Sequence, residues 1–129
     1  MRRDMNLIRE LLLKFEDLDT RPQLLAFPYG EPQVEGYTDD QVYMHIRMLV
    51  EAGLVSVGDG GGFAMDGRFL FQGLHWNGHE FIPSIRDQEV WAKTKAALKA
   101  GGSETISAVW EIAKAVGKAE IKRRTGYEL

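Results

Sequence analysis

His75 and His79 stand four residues apart, the spacing that sets two imidazoles on one face of a helix and that metal sites use. Their chemistry would be metal binding. Glu80 follows the second histidine, however, so the H-E-x-x-H order is absent, and only His45 offers a third ligand. The plainer reading makes them helix caps or hydrogen-bonded surface residues. Gly58-Asp59-Gly60-Gly61-Gly62 could suggest a phosphate cradle. It follows a strand pattern but leads into another strand, without the helix N-terminus whose dipole such loops exploit. Ser56, Ser84, Ser103 and Ser107 fall in strand or helix patterns with no nucleophile elbow. With no cysteine, disulfides, thiolate catalysis and the usual structural zinc sites are unavailable to the chain. The expectation is a non-enzymatic protein without metal or cofactor.

The 129 residues suffice for one core with an appended helix or two. A net charge of −3 carries no general pull toward nucleic acid or anionic membrane. No apolar run approaches the length of a membrane span, and Asp4, Arg9, Glu10 and Lys14 break the apolar character of the N-terminus. A cytoplasmic protein that avoids membranes is expected. Met5, Ile8, Leu11, Leu12, Phe15 and Leu18 form one apolar stripe of a first helix, with Asp4 as N-cap and an end before Pro22. Residues 19–37 read as a loop, with a helical turn at Gln23–Ala26 and a short extended piece from Gln33 to Tyr37.

Thr38 and Gln41 make a capping box for a second helix, and Asp39 and Asp40 suit its positive end. Val42, Ile46, Leu49 and Val50 are its expected buried face, and Gly53 its C′ residue. The period then changes. Leu54–Val57 is a strand, and Phe63–Met65, Asp66-Gly67 and Arg68–Phe71 read as strand, tight turn and strand. Two or three helices follow. Asn77 with Glu80, or His75, starts one that contains Pro83; Asp87 caps a turn leading through Val90, Trp91, Thr94 and Leu98; Ser103 caps the last, with Ile106, Val109, Trp110, Ala113, Val116 and Ile121 on its stripe. Trp76, Trp91 and Trp110 are expected in packing between helices.

The order helix, short strand, helix, "LVEAGLV", hairpin, "LHWNGHEF" is that of a winged helix-turn-helix. The blocks "MRRDMNLIRELL", "GYTDDQVYMHIRMLVEAGL", "GHEFIPSIRD" and "VWAKTK" together resemble a family of short bacterial and prophage winged-helix proteins of unknown function. The resemblance covers nearly the whole chain. It implies an α+β fold, a winged helix with a small β-wing and two or three appended C-terminal helices, in a prophage or mobile-element setting. It imports no catalytic residue. The expected division is a winged-helix core over 1–86 and a helical extension over 87–129 packed on the same domain.

In such a fold the second helix would read DNA or contact a partner. Its outward residues include Gln41, Tyr43, Met44, Arg47 and Met48, and the wing adds Arg68. From Thr38 to Leu54 one arginine stands against Asp39, Asp40 and Glu51, a balance of −2 that opposes phosphates. Tyr, Met and Arg on one face are interface anchors, and plain packing under the preceding loop is a third reading. All three stay open on this face. The basic residues lie elsewhere: from Trp91 to Leu129 eight Lys/Arg face four Glu. Lys118, Lys122 and Arg123 could track phosphates, or could simply be a solvated helix face. Trp110 and Ile121 are the expected homodimer interface. The leading expectation, on the fold's base rate, is a small DNA-binding regulator of phage or mobile-element type; the alternative, favoured by the charge, is a protein-binding adaptor or inhibitor using the acidic-aromatic face of the second helix.

Overall fold

Asp4 opens the first helix, its Oδ1 accepting the N–H groups of Asn6 at 2.9 Å and Leu7 at 3.2 Å. In the computed structural model, residues 2–18, 25–58, 62–102 and 105–128 are described. Helix α1 spans Met5–Leu18 and buries Leu7, Ile8, Leu11, Leu12 and Phe15 completely. The three- and four-residue steps of that stripe are why one face can be dry while Asn6 and Lys14 stay in water.

Strand β1 is Leu25–Phe27. This corrects two expectations. Of the helical turn proposed at Gln23–Ala26, the part within the described residues is strand, and Gln23 and Leu24 lie outside them. The extended piece at Gln33–Tyr37 is instead a turn closed by the Tyr37 N–H on the Val34 carbonyl at 3.2 Å, which tucks Val34 into the core. The reason is pairing: Phe27 faces Phe69 on the central strand, while the stretch after Pro28 has no strand beside it among the described residues.

Helix α2, Asp39–Glu51, starts with the expected capping box: Thr38 Oγ1 accepts the Gln41 N–H at 3.2 Å, and Gln41 Oε1 accepts the Thr38 N–H at 2.9 Å. It ends in a Schellman motif, with the Leu54 N–H on Leu49 O and the Gly53 N–H on Val50 O, both at 3.0 Å. Gly53 adopts φ +75°, the left-handed conformation that the motif needs. Val42, Ile46 and Leu49 are buried as expected. Val50 is only half-buried, and His45 takes its place inside.

Strands β2 (Val55–Val57) and β3 (Phe69–Leu74) complete an antiparallel sheet of order β1-β3-β2. β3 alternates Phe69, Phe71 and Gly73 inward with Leu70 and Gln72 outward. A register shift between Ser56 and Val57 leaves Gln72 as the extra residue of β3. The expected strand Phe63–Met65 shrinks to one bridge, Phe63 with Phe69. Its turn holds three residues, Met65, Asp66 and Gly67, closed by the Gly67 N–H on Ala64 O at 2.9 Å and the Ala64 N–H on Arg68 O at 2.8 Å.

Helix α3 (Trp76–Arg86) begins two residues earlier than an Asn77 cap would allow: the His79 N–H bonds to the His75 carbonyl, so His75 flanks the first turn. Pro83 sits inside it, as expected. Helix α4, Gln88–Gly101, is capped by Asp87 and stops at Gly102. Helix α5, Ile106–Thr125, is capped by Thr105, not Ser103, which lies outside the described residues. Trp76 is 75 % exposed, against the expectation that it packs between helices.

The fold class is α+β, with five helices and one three-stranded sheet among the described residues. The chain forms two compact units, Met1–His79 and Glu80–Leu129. The first has its core among α1, α2 and the inner face of the sheet. The second buries Phe81, Ile82 and Ile85 of α3, Val90, Trp91 and Leu98 of α4, and Val109 and Ala113 of α5. No helix among the described residues is long and apolar enough to cross a membrane.

Candidate partner-binding face

Three segments of the first unit meet on one face through aromatic rings. Tyr29 comes from the loop after β1, Tyr43 from α2 and Phe63 from the arm before β3. Ring centroids are 5.0 Å apart for Tyr29 and Tyr43 and 5.6 Å for Tyr43 and Phe63. From Phe63 the contacts run inward, 5.4 Å to Phe69, 5.2 Å on to Phe27, and through Phe69 to the buried Phe15 at 6.5 Å. A surface ring is thereby tied to the core by successive ring contacts in the favoured separation range. The Tyr29 hydroxyl donates to the Asp40 carboxylate, which fixes the loop to the start of α2.

Arg47 lies on this surface. Its guanidinium carbon is 5.8 Å from the centre of the Tyr43 ring and 5.7 Å from that of Phe63. It forms no ion pair with a carboxylate among the described residues, although its side chain is exposed. Met44, three residues before it, is 40 % exposed, and Met48 is half-buried. Gln41, expected to reach a partner, has its side chain committed to the helix cap. Arg68 is exposed on the hairpin but bonds Asp66 at 2.7 Å.

Behind this face α2 is locked to α1 by polar groups. His45 is buried, its Nδ1 2.7 Å from the Gln41 carbonyl and its Nε2 accepting the Asp4 N–H at 2.8 Å. That geometry fits the Nδ1–H tautomer. Both ring nitrogens are therefore occupied, and His45 has no lone pair to give a metal beside His75 or His79. Asp4 also accepts the Tyr37 hydroxyl at 3.0 Å. Burial, and then the Asp4 carboxylate, pushes the Tyr37 phenol above its ordinary range, so it stays a protonated donor. No group of three or more His, Cys, Asp or Glu among the described residues is placed to hold a metal ion.

The cations expected to contact phosphate lie in the second unit, and two of the three are engaged there. Arg123 bonds Glu120 at 2.7 Å and Glu89 at 3.3 Å, and Lys122 bonds Glu128 at 2.5 Å. Lys118 is exposed, with no ion pair among the described residues. Glu120 is buried and also receives Lys93, while Arg124 bonds Asp87 at 2.8 Å and Glu89 at 3.0 Å. The neighbouring Arg123 and Lys93 hold the Glu120 carboxyl down at about 2, and Arg124 with the Val90 N–H does the same for Asp87, also at about 2. Of the expected self-association pair, Trp110 is half-buried against Phe81, with Lys114 over its ring at 4.8 Å, and Ile121 is 39 % exposed.

Tyr29 and Phe63 were not singled out by sequence reasoning. Tyr29 sits between Pro28 and Gly30, outside any helix or strand period, and Phe63 opens a three-residue strand pattern too short to show which way its ring faces. An aromatic residue held between conformational breakers was the available signal.

A family model described as "Hypothetical protein (DUF2513)" matches residues 2–104. An uncharacterized protein of Haemophilus influenzae is 30 % identical over 118 residues, which covers 90 % of this chain and 95 % of that protein. No solved structure matches the chain.

Proposed function

The chain belongs to the DUF2513 family of hypothetical proteins, and we propose that it is a non-enzymatic winged-helix protein that docks a protein partner on the face shared by α2 and the hairpin. The observation that carries the reading is Arg47, exposed and laid over Tyr43 and Phe63 with no carboxylate paired to it among the described residues. An aromatic and arginine surface already held rigid by core rings is what interface anchors are made of. The electrostatics support the same choice. The Met1–His79 unit carries seven Lys/Arg against twelve Asp/Glu, and Asp39 and Asp40 would meet phosphates at the start of α2. Regulation through DNA, the reading favoured by the fold's base rate, has lost much of its phosphate-contacting charge to Glu120, Glu89 and Glu128. In the same reading, the exposed Ile121 and half-buried Trp110 leave α5 able to pair two copies.

Two measurements test this. A photo-crosslinking side chain at Met44 is expected to give discrete protein adducts in the native host, and one at the exposed Ala96 of α4 none. Fluorescence anisotropy with random duplex DNA at low salt is expected to show no binding. Duplex binding that Arg47→Ala and Lys118→Ala both weaken would overturn the reading in favour of DNA. For self-association, the wild type is expected to sediment as a dimer and Ile121→Asp as a monomer; a monomeric wild type removes that interface.

A further inference from the structure

This inference rests on the docking face just proposed and names the chemistry of what it takes. Arg47 is the anchor. Its guanidinium carbon lies 5.8 Å and 5.7 Å from the centres of the Tyr43 and Phe63 rings, so the charged end is already placed before binding. Its planar fork matches a carboxylate in bidentate geometry. Arg68 on the hairpin makes the contrast, because its charge is already met by Asp66.

Phe63 also belongs to a second feature. With Ala26, Ala64 and Leu70 it lines an open depression of about 350 Å³ beside the sheet. Leu70 is 40 % exposed there, on the outward face of β3. A bulky aliphatic or aromatic side chain would remove this surface from water. The third feature is sign. Asp39 and Asp40 precede Arg47 by eight and seven residues, roughly 11 Å along the helix axis. Asp40 is held in place by Tyr29.

We infer that this face reads a protein segment of mixed charge: an acidic side chain on Arg47, a bulky apolar neighbour in the depression beside Phe63, and a basic side chain toward Asp39 and Asp40. Nucleic acid fits this pattern poorly. A phosphate chain would satisfy Arg47 and then meet two like charges along the same helix, whereas a segment of alternating sign satisfies both ends.

The probe is a phage-displayed library of short random peptides selected against the full-length protein, with the winning peptides synthesised and titrated. Winners are expected to carry Asp or Glu next to Leu, Phe or Trp, with Lys or Arg about three residues away, since an extended chain covers roughly 10 Å in that distance. Arg47→Gln should weaken them by about tenfold or more. Selection against Arg47→Glu should reverse the acidic preference to a basic one. Arg47 is exposed, so both variants are expected to keep the wild-type circular dichroism and denaturation midpoint. Winners without acidic bias, or bound by Arg47→Gln within about twofold of wild type, overturn the inference. If those same winners are lost on Met44→Asp, the face remains a docking surface and only the role given to Arg47 falls. Winners indifferent to both variants overturn the docking face as well.

Discussion

In the Met1–His79 unit the side chains with no exposed surface are apolar: Leu7, Ile8, Leu11, Leu12 and Phe15 of α1, Leu49 of α2 and Val55 of β2. Aromatic rings carry that packing outward to the candidate face. In the Glu80–Leu129 unit, α4 and α5 share a narrower apolar seam, and carboxylates and cations of the two helices close it. Asp87 and Glu89 sit at the start of α4, and Arg123 and Arg124 at the end of α5, so each group is also placed favourably in its own helix dipole. The comparison teaches where charge is free. The more cationic unit uses much of its charge to hold itself together, while the acidic unit leaves Arg47 facing outward without an ion pair among the described residues. Net charge along the chain is therefore a poor guide to which unit meets a partner.

The comparison breaks most visibly if the apolar unit is not the apolar one. Leu49→Ala removes a fully buried side chain between α2 and its neighbours. It is expected to lower stability by roughly 2–5 kcal/mol in chemical denaturation. A loss below about 1 kcal/mol would mean that this core is not where the first unit is held.

A smaller effect tests the link from core to face. Gly67 has φ +87°, and a Cβ there would lie 2.4 Å from Cδ2 of Tyr29. Gly67→Ala is expected to cost about 1–2 kcal/mol for the left-handed backbone alone. It should also displace the Tyr29 ring, seen as shifted ring protons by NMR, and weaken the peptides that depend on Arg47. An unshifted Tyr29 would show that the hairpin turn and the loop are not coupled.

The mildest test belongs to the second unit and is set by acid. Glu120 and Asp87 are held at about 2, below their ordinary values of 4.5 and 3.8. The unfolded chain therefore takes up protons first as pH falls. The stabilisation is present above about pH 4.5 and is lost as pH drops through about 2. Relative to the intrinsic rate at each pH, hydrogen exchange of α4 and α5 amides should accelerate across that window, and Glu120→Gln should flatten the part of the dependence due to Glu120. Equal acceleration in α1 and α2 would erase the distinction between the units.

Elements whose causes are local can be read from the residues alone. Asp4, the Thr38–Gln41 box, Gly53 and Asp87 act within a few residues, and α1, α2 and α4 begin or end where those residues place them. The alternation of β3 and the apolar stripes of α1 and α2 were legible for the same reason. Arg47, Tyr43 and Met44 were visible as an outward set because helix geometry fixes which residues share a face. What only the tertiary structure decided involves partners far apart in sequence. β1 is a strand at Leu25–Phe27 because Phe69–Phe71 lies beside it, and His45 goes inside because Asp4, 41 residues earlier, offers it a hydrogen bond. Glu120 stands on the buried side of a helix whose stripe pointed to Ile121, because Lys93 and Arg123 compensate its charge there. Tyr29 and Phe63 joined the face for the same kind of reason. Their environment is made by elements that the intervening chain brings together, and no local period encodes it.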